Sequence, residues 1–153
     1  MKTMIFCLTS FFLTLTTISA QTTATWIGGT PGKPCDWNSP YNWSEGRVPD
    51  ENAQVIIPSD RQYYPVIISD VPDIDALMIA GGARLKLESG ASLSILGGSG
   101  RLEVLTVLGL IVNEGKLNAE ITGTAQAGMS GKIVGAGICI FPDSSVNDDV
   151  AQK

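Results

Sequence analysis

Apolar residues come in short pulses along this chain, mostly as an apolar residue, a spacer and a second apolar residue. From Ala53 onward the runs are Gln54 to Ile57, Val66 to Ile68, Leu77 to Ile79, Leu85 to Leu87, Leu93 to Ile95 and Leu102 to Val104. Leu110 to Val112, Leu117 to Ile121, Ile133 and Ile138 to Ile140 follow, with Gly, Asn, Asp or Ser between them. A period near two, with glycine every few residues, predicts strands and no long helix. Only Asp73 to Ala80 also fits one helical turn.

The first apolar residues of successive runs, Leu85, Leu93, Leu102, Leu110 and Leu117, are 8, 9, 8 and 7 residues apart. Spacing of that kind suits a hairpin meander in an antiparallel sandwich. The chemistry of the runs adds a second reading. Gly82-Ala-Arg-Leu-Lys-Leu87, Gly90-Ala-Ser-Leu-Ser-Ile95, Gly100-Arg-Leu-Glu-Val104, Gly115-Lys-Leu-Asn-Ala119 and Gly131-Lys-Ile-Val134 share one unit: glycine at a corner, then an inward apolar pair. Three units make one turn of a three-faced coil. Leu85 to Leu110 is 25 residues, Leu93 to Leu117 is 24, and Leu110 to Ile133 is 23. A period near 24 predicts a short parallel β-helix of about four coils. In that alignment Leu85, Leu110 and Ile133 share one inner face, and Leu93, Leu117 and Ile138 share another. Outside, Arg84 and Lys86 fall beside Gly109 and Ile111, and Ser92 and Ser94 beside Lys116 and Asn118.

Gln21 to Pro49 has a different texture. It holds Trp26, Trp37, Trp43 and Tyr41, four prolines and no regular period, which predicts a compact loop segment pinned by aromatic rings. Ahead of it, Lys2, an apolar run from Met4 to Ile18 and the small Ala20 form the pattern of a cleavable export signal. The expected division is therefore 1–20 signal peptide, 21–52 Trp-rich cap, 53–141 β-helix and 142–153 polar tail. Localisation would then be secreted, cell-surface or periplasmic. No later stretch reaches the ~20 apolar residues of a membrane span.

Composition narrows the partners. The chain has no His and a formal charge of −5; removing Lys2 with the signal leaves 9 cations against 15 acids, a net of −6. That balance argues against nucleic acid and offers no polybasic membrane patch. It leaves extracellular polysaccharide or another envelope protein as partner classes. Cys7 lies in the signal, so Cys35 and Cys139 remain. Two Cys without His make no zinc site, and no cofactor is expected. With Ile138 and Ile140 inward, Cys139 faces out on the last coil. Cys35 belongs to the other end, too distant for a disulfide.

Trp26-Ile-Gly-Gly, Asp36-Trp-Asn38, Asn42-Trp-Ser-Glu-Gly46, Val48-Pro-Asp50 and Val55-Ile-Ile-Pro58 together resemble the opening module of large secreted surface proteins from Bacteroidetes-type bacteria. The likeness spans Trp26 to Ile140; its aromatic part is fairly specific and its repeats are generic. It implies a right-handed β-helix in adhesin-like or matrix proteins, and it implies no catalytic residues. Family members are usually longer, and many end in a sorting domain for which Pro142 to Lys153 is too short. A minimal member and a fragment of a longer gene both fit.

Several motifs invite a functional reading. Trp26, Trp37, Tyr41 and Trp43 are candidates either for a glycan-binding platform or for the core of the cap. Asn42-Trp43-Ser44 is formally a glycosylation sequon, or else a turn with a buried Trp. Asp60, Asp70, Asp73 and Asp75 are oxygen ligands in principle, but they lack the glycine and terminal Glu of an EF-hand loop and read as turn aspartates. A polysaccharide lyase or hydrolase, the enzymatic alternative, needs paired acids or a base in one groove. No predicted outer face gathers them. The expectation is a non-enzymatic structural or adhesin-like module. A carbohydrate-binding module and a degenerate lyase are the alternatives.

Overall fold

A computed structural model describes residues 21–98, 103–120 and 126–141. The export signal, the tail from Pro142, Leu102 and Ile121 lie outside the described residues. Among the described residues twelve strands form three parallel sheets wound as a β-solenoid, a short parallel β-helix. The strands are β1 (Thr22–Thr25), β2 (Ala53–Ile57), β3 (Val66–Ile67), β4 (Ala76–Ile79), β5 (Arg84–Leu87) and β6 (Ser92–Ile95). They continue with β7 (Glu103–Val107), β8 (Leu110–Asn113), β9 (Lys116–Ala119), β10 (Gln126–Met129), β11 (Lys132–Val134) and β12 (Ile138–Ile140). The first sheet runs β1-β2-β4-β7-β10, the second β3-β5-β8-β11 and the third β6-β9-β12. Every strand pair is parallel, which excludes the antiparallel sandwich. Asp73 to Ala80 makes no helical turn; β4 occupies it and buries Leu77 and Ile79.

The hydrophobic period explains the winding. One strand buries only its alternate side chains, so a coil must stack on its neighbours to remove them from water. The inner rows run Val55–Leu77–Leu105, Ile57–Ile79–Val107–Met129, Leu85–Ile111–Ile133 and Leu93–Leu117–Cys139. Those in the first three coils are at most 1% exposed.

This register corrects the sequence alignment. Leu110 does not join Leu85; it stacks between Arg84 and Lys132 on the outside, and Ile111 takes the inner place. Ile138 likewise points out above Lys116, and Cys139 points in beneath Leu117. Lys86 accordingly stacks on Val112 and Val134, not on Ile111. The corners set this parity. Leu110 N–H donates to Ala83 O at 3.0 Å, and Lys132 N–H donates to Gly109 O at 2.9 Å, so Ala83, Gly109 and Gly131 form one column. A Cβ on Gly109 or Gly131 would overlap the carbonyl oxygen of the residue stacked before it. The residue after each corner faces solvent, as the charges of Arg84 and Lys132 require.

The period is also not constant. It is 28 residues from Leu77 to Leu105, 26 from Leu85 to Ile111 and 24 from Leu93 to Leu117. It then settles at 22, both from Ile111 to Ile133 and from Leu117 to Cys139. The longest of these steps spans residues 99–102, which lie outside the described residues.

Candidate functional site

Three places on this frame hold enough chemistry to consider: the Trp-rich segment, the outer rows with their corner grooves, and the last coil.

The Trp-rich segment is part of the solenoid's first end. Its β1 pairs with β2 in parallel, and Asp36 bridges to Val66, so the segment adds a layer to two sheets. Trp26, Trp37 and Trp43 are at most 1% exposed. Trp43 stands edge-on to both others, at centroid distances of 4.9 Å from Trp26 and 4.7 Å from Trp37. The indole N–H of Trp26 donates to Tyr63 O and that of Trp43 to Trp37 O, each at 2.7 Å. Gly28, at φ +68°, lets the chain pass this corner: a Cβ there would lie 2.9 Å from both Trp26 Nε1 and Tyr63 O. Rings buried in this way present no face to a sugar. Tyr41, 79% exposed, stands alone outside the cluster.

Asn42 holds the segment together, a role the sequence did not reveal beyond its place in a turn. Fully buried, its side-chain amide donates to Lys33 O at 2.8 Å and Asp36 O at 2.9 Å, and its Oδ1 accepts from Thr30 N–H at 2.9 Å. Its backbone carbonyl accepts from Ile27 and Gly28. A glycan on Nδ2 would replace one of the two donating hydrogens and has no room beside the buried amide. The sequon is therefore a structural motif.

On the first sheet the outer row is Thr25–Ile56–Met78–Thr106–Gly128. On the second sheet the rows are Arg84–Leu110–Lys132 and Lys86–Val112–Val134; on the third they are Ser92–Lys116–Ile138 and Ser94–Asn118–Ile140. None of these rows places two carboxylates together. A shallow groove of about 400 Å³ follows the corner between the first two sheets, with Arg84 and Lys132 as its charged groups. Lys86 is engaged instead with Glu88 at 2.7 Å. A second groove, about 560 Å³, lies along the next corner and mixes Asp70 and Glu114 with Lys116. Asp70, Asp73, Asp75 and Asp60 do not converge. Asp75 is buried, Asp70 lines the second groove, and Asp60 sits 3.8 Å from Arg61. Among the described residues no three His, Cys, Asp or Glu side chains are grouped to hold a metal. Nor does any helix among them reach the length and apolarity of a membrane span.

Cys35 and Cys139 are free thiols. Cys35 lies beside Val66 at the first end, its carbonyl accepting from Val66 N–H at 2.8 Å. Cys139 is on the terminal strand of the third sheet, facing in and not out as its apolar neighbours suggested. Asn113, buried at the preceding corner, donates to Cys139 Sγ at 3.3 Å and to Ile138 O at 3.0 Å. It accepts from Gly115 N–H at 3.1 Å, tying the last coil to the one before it.

Comparison with protein-family models, with curated proteins and with solved structures finds no match for this chain.

Proposed function

We propose that this chain is an exported, non-enzymatic structural or adhesin-like β-helix module of a bacterial envelope or surface. The observation that carries the reading is how its distinctive chemistry is spent. The Trp residues and Asn42, the most specific sequence features, are consumed in closing one end of the stack. Among the described residues no outer strand row stacks two carboxylates, the arrangement that glycan cleavage uses. Export rests on the Lys2 to Ala20 pattern. Expression in a Gram-negative host followed by fractionation and mass spectrometry tests it. The expected product is extracytoplasmic and begins at Gln21; a cytoplasmic protein retaining Met1 to Ala20 would overturn the reading.

The groove with Arg84 and Lys132 favours a second reading, a module that binds acidic polysaccharide. These cations have no ion-pair partner among the described residues, and they lie two strand spacings, ~9.6 Å, apart along one row. Binding to polygalacturonate that weakens with salt and is lost in Arg84→Ala/Lys132→Ala would establish it. Equal binding by the variant would remove it.

A further inference from the structure

The corner groove between the first two sheets is built coil by coil. Three successive coils each give it three residues: 82–84, 108–110 and 130–132. All nine are described residues, and they line the flank of the stack, not its end. Its floor is nearly bare backbone, because Ala83, Gly109 and Gly131 stack there and a Cβ on either glycine would meet the carbonyl oxygen before it. Stacking thus fixes the glycines, and the missing side chains leave the corner open to a ligand. Along one side runs the outer row Arg84–Leu110–Lys132, in which two cations flank an apolar side chain. Leu108, from the same coil as Leu110, lines the groove too and is 42% exposed. No acidic side chain lines it, in a chain whose net charge is −5.

We infer that the ligand of this groove is an alternating polysaccharide, in which a uronate, a neutral N-acetylated sugar and a second uronate lie along the corner with one sugar to each coil. The inference rests on the acidic-polysaccharide reading above and narrows it. The two uronate carboxylates pair with Arg84 and Lys132, and the neutral sugar sits over Leu110 and Leu108, where its acetyl methyl meets apolar carbon. The order of the row selects this pattern. A polymer with a carboxylate on every sugar would set its middle charge against Leu110, where it loses water and gains no cation. Step length selects a glycan over an acidic peptide. The sugars of an extended glycan advance by about one strand spacing, ~4.8 Å, and keep step with the coils. An extended peptide advances ~3.4 Å per residue and drifts out of register with them.

Calorimetric titration of the unmodified protein with two matched hexasaccharides tests this. One is a hyaluronan fragment, carboxylated on alternate sugars; the other is hexagalacturonate, carboxylated on every sugar. The hyaluronan fragment should bind about tenfold more tightly although it carries half the charge, because the other strands a carboxylate on Leu110. Leu110→Lys completes a row of three cations and should reverse the order, with an unchanged β-sheet circular dichroism spectrum. Arg84→Ala/Lys132→Ala should abolish binding of both. Hexagalacturonate binding as tightly as the hyaluronan fragment, or an order unchanged in a folded Leu110→Lys variant, would overturn this inference and leave the acidic-polysaccharide reading standing. Binding of neither glycan, or tighter binding of a glutamate hexapeptide, would overturn both.

Discussion

At one end of the solenoid three buried indoles and Asn42, whose side chain makes three hydrogen bonds, close the stack; at the other, Cys139 and Ile138 lie open to solvent. Both ends face the same problem, a set of strand edges and apolar side chains with no further coil among the described residues to cover them. The N-terminal end solves it within the chain by folding a non-repetitive segment over the first coil. Among the described residues the C-terminal end has no such cover. The difference teaches that repeat chemistry propagates a β-helix but does not terminate one: ending the stack takes large side chains and a satisfied polar hub.

The comparison can be broken most forcefully at Trp43. Trp43→Ala removes the ring that touches both other indoles and should cost about 3–5 kcal/mol, a large share of the ~5–15 kcal/mol that holds most domains together. Urea unfolding should show a much lower midpoint or no folded baseline. A shift no larger than that of a surface variant would mean the cap is dispensable. Next in size is a matched pair on one inner row. Leu117→Ala should cost about 3 kcal/mol, whereas Cys139→Ala, one coil further along, should cost under ~0.5 kcal/mol. Equal losses would show that the last coil is as well sealed as the interior.

Asn42→Ala should destabilise by about 2 kcal/mol, because the carbonyls of Lys33 and Asp36 and the Thr30 N–H lose their partner in a buried site. The smallest effect expected is for Glu88→Gln. Its bond to Lys86 is short but solvent-exposed, so the loss should stay within ~0.5 kcal/mol and shrink further in high salt. A larger, salt-independent loss would show that the outer rows matter to stability beyond exposing polar groups.

The fold was legible because its signal is periodic. Glycine followed by alternating apolar residues recurs often enough to reveal the coil, and the three Trp stand apart as something other than repeat. The register was harder to read for a definable reason. Leu110-Ile-Val112 is apolar throughout, and Ile138-Cys-Ile140 is apolar at the positions that face out, so taking the first apolar residue as inward gives the wrong parity. The signal that settles it is charge: Arg84 and Lys132 share a row, and the residue between them must point outward as well. β1 and β10 escaped notice because Thr22–Thr25 and Gln126–Met129 lack apolar alternation; pairing with β2 and β7 makes them strands. Asn42 was visible as a turn residue, but its hub role depends on Thr30, Lys33 and Asp36 converging, which spacing does not reveal. Of the candidate aromatics, the sequence could not say which face outward, and only Tyr41 does.

The central claim is a parallel stack in the stated register, and cross-linking tests it most directly. With Cys35→Ser and Cys139→Ser as background, Lys86→Cys/Val112→Cys places two thiols on adjacent strands at a Cα separation of ~4.8 Å, inside the disulfide range. Mild oxidation should bridge this pair rapidly, while Arg84→Cys/Val112→Cys, offset by two residues on the same face, should stay reduced. Bridging of the offset pair, or free thiols in the aligned one, would contradict the register and the β-helix built on it.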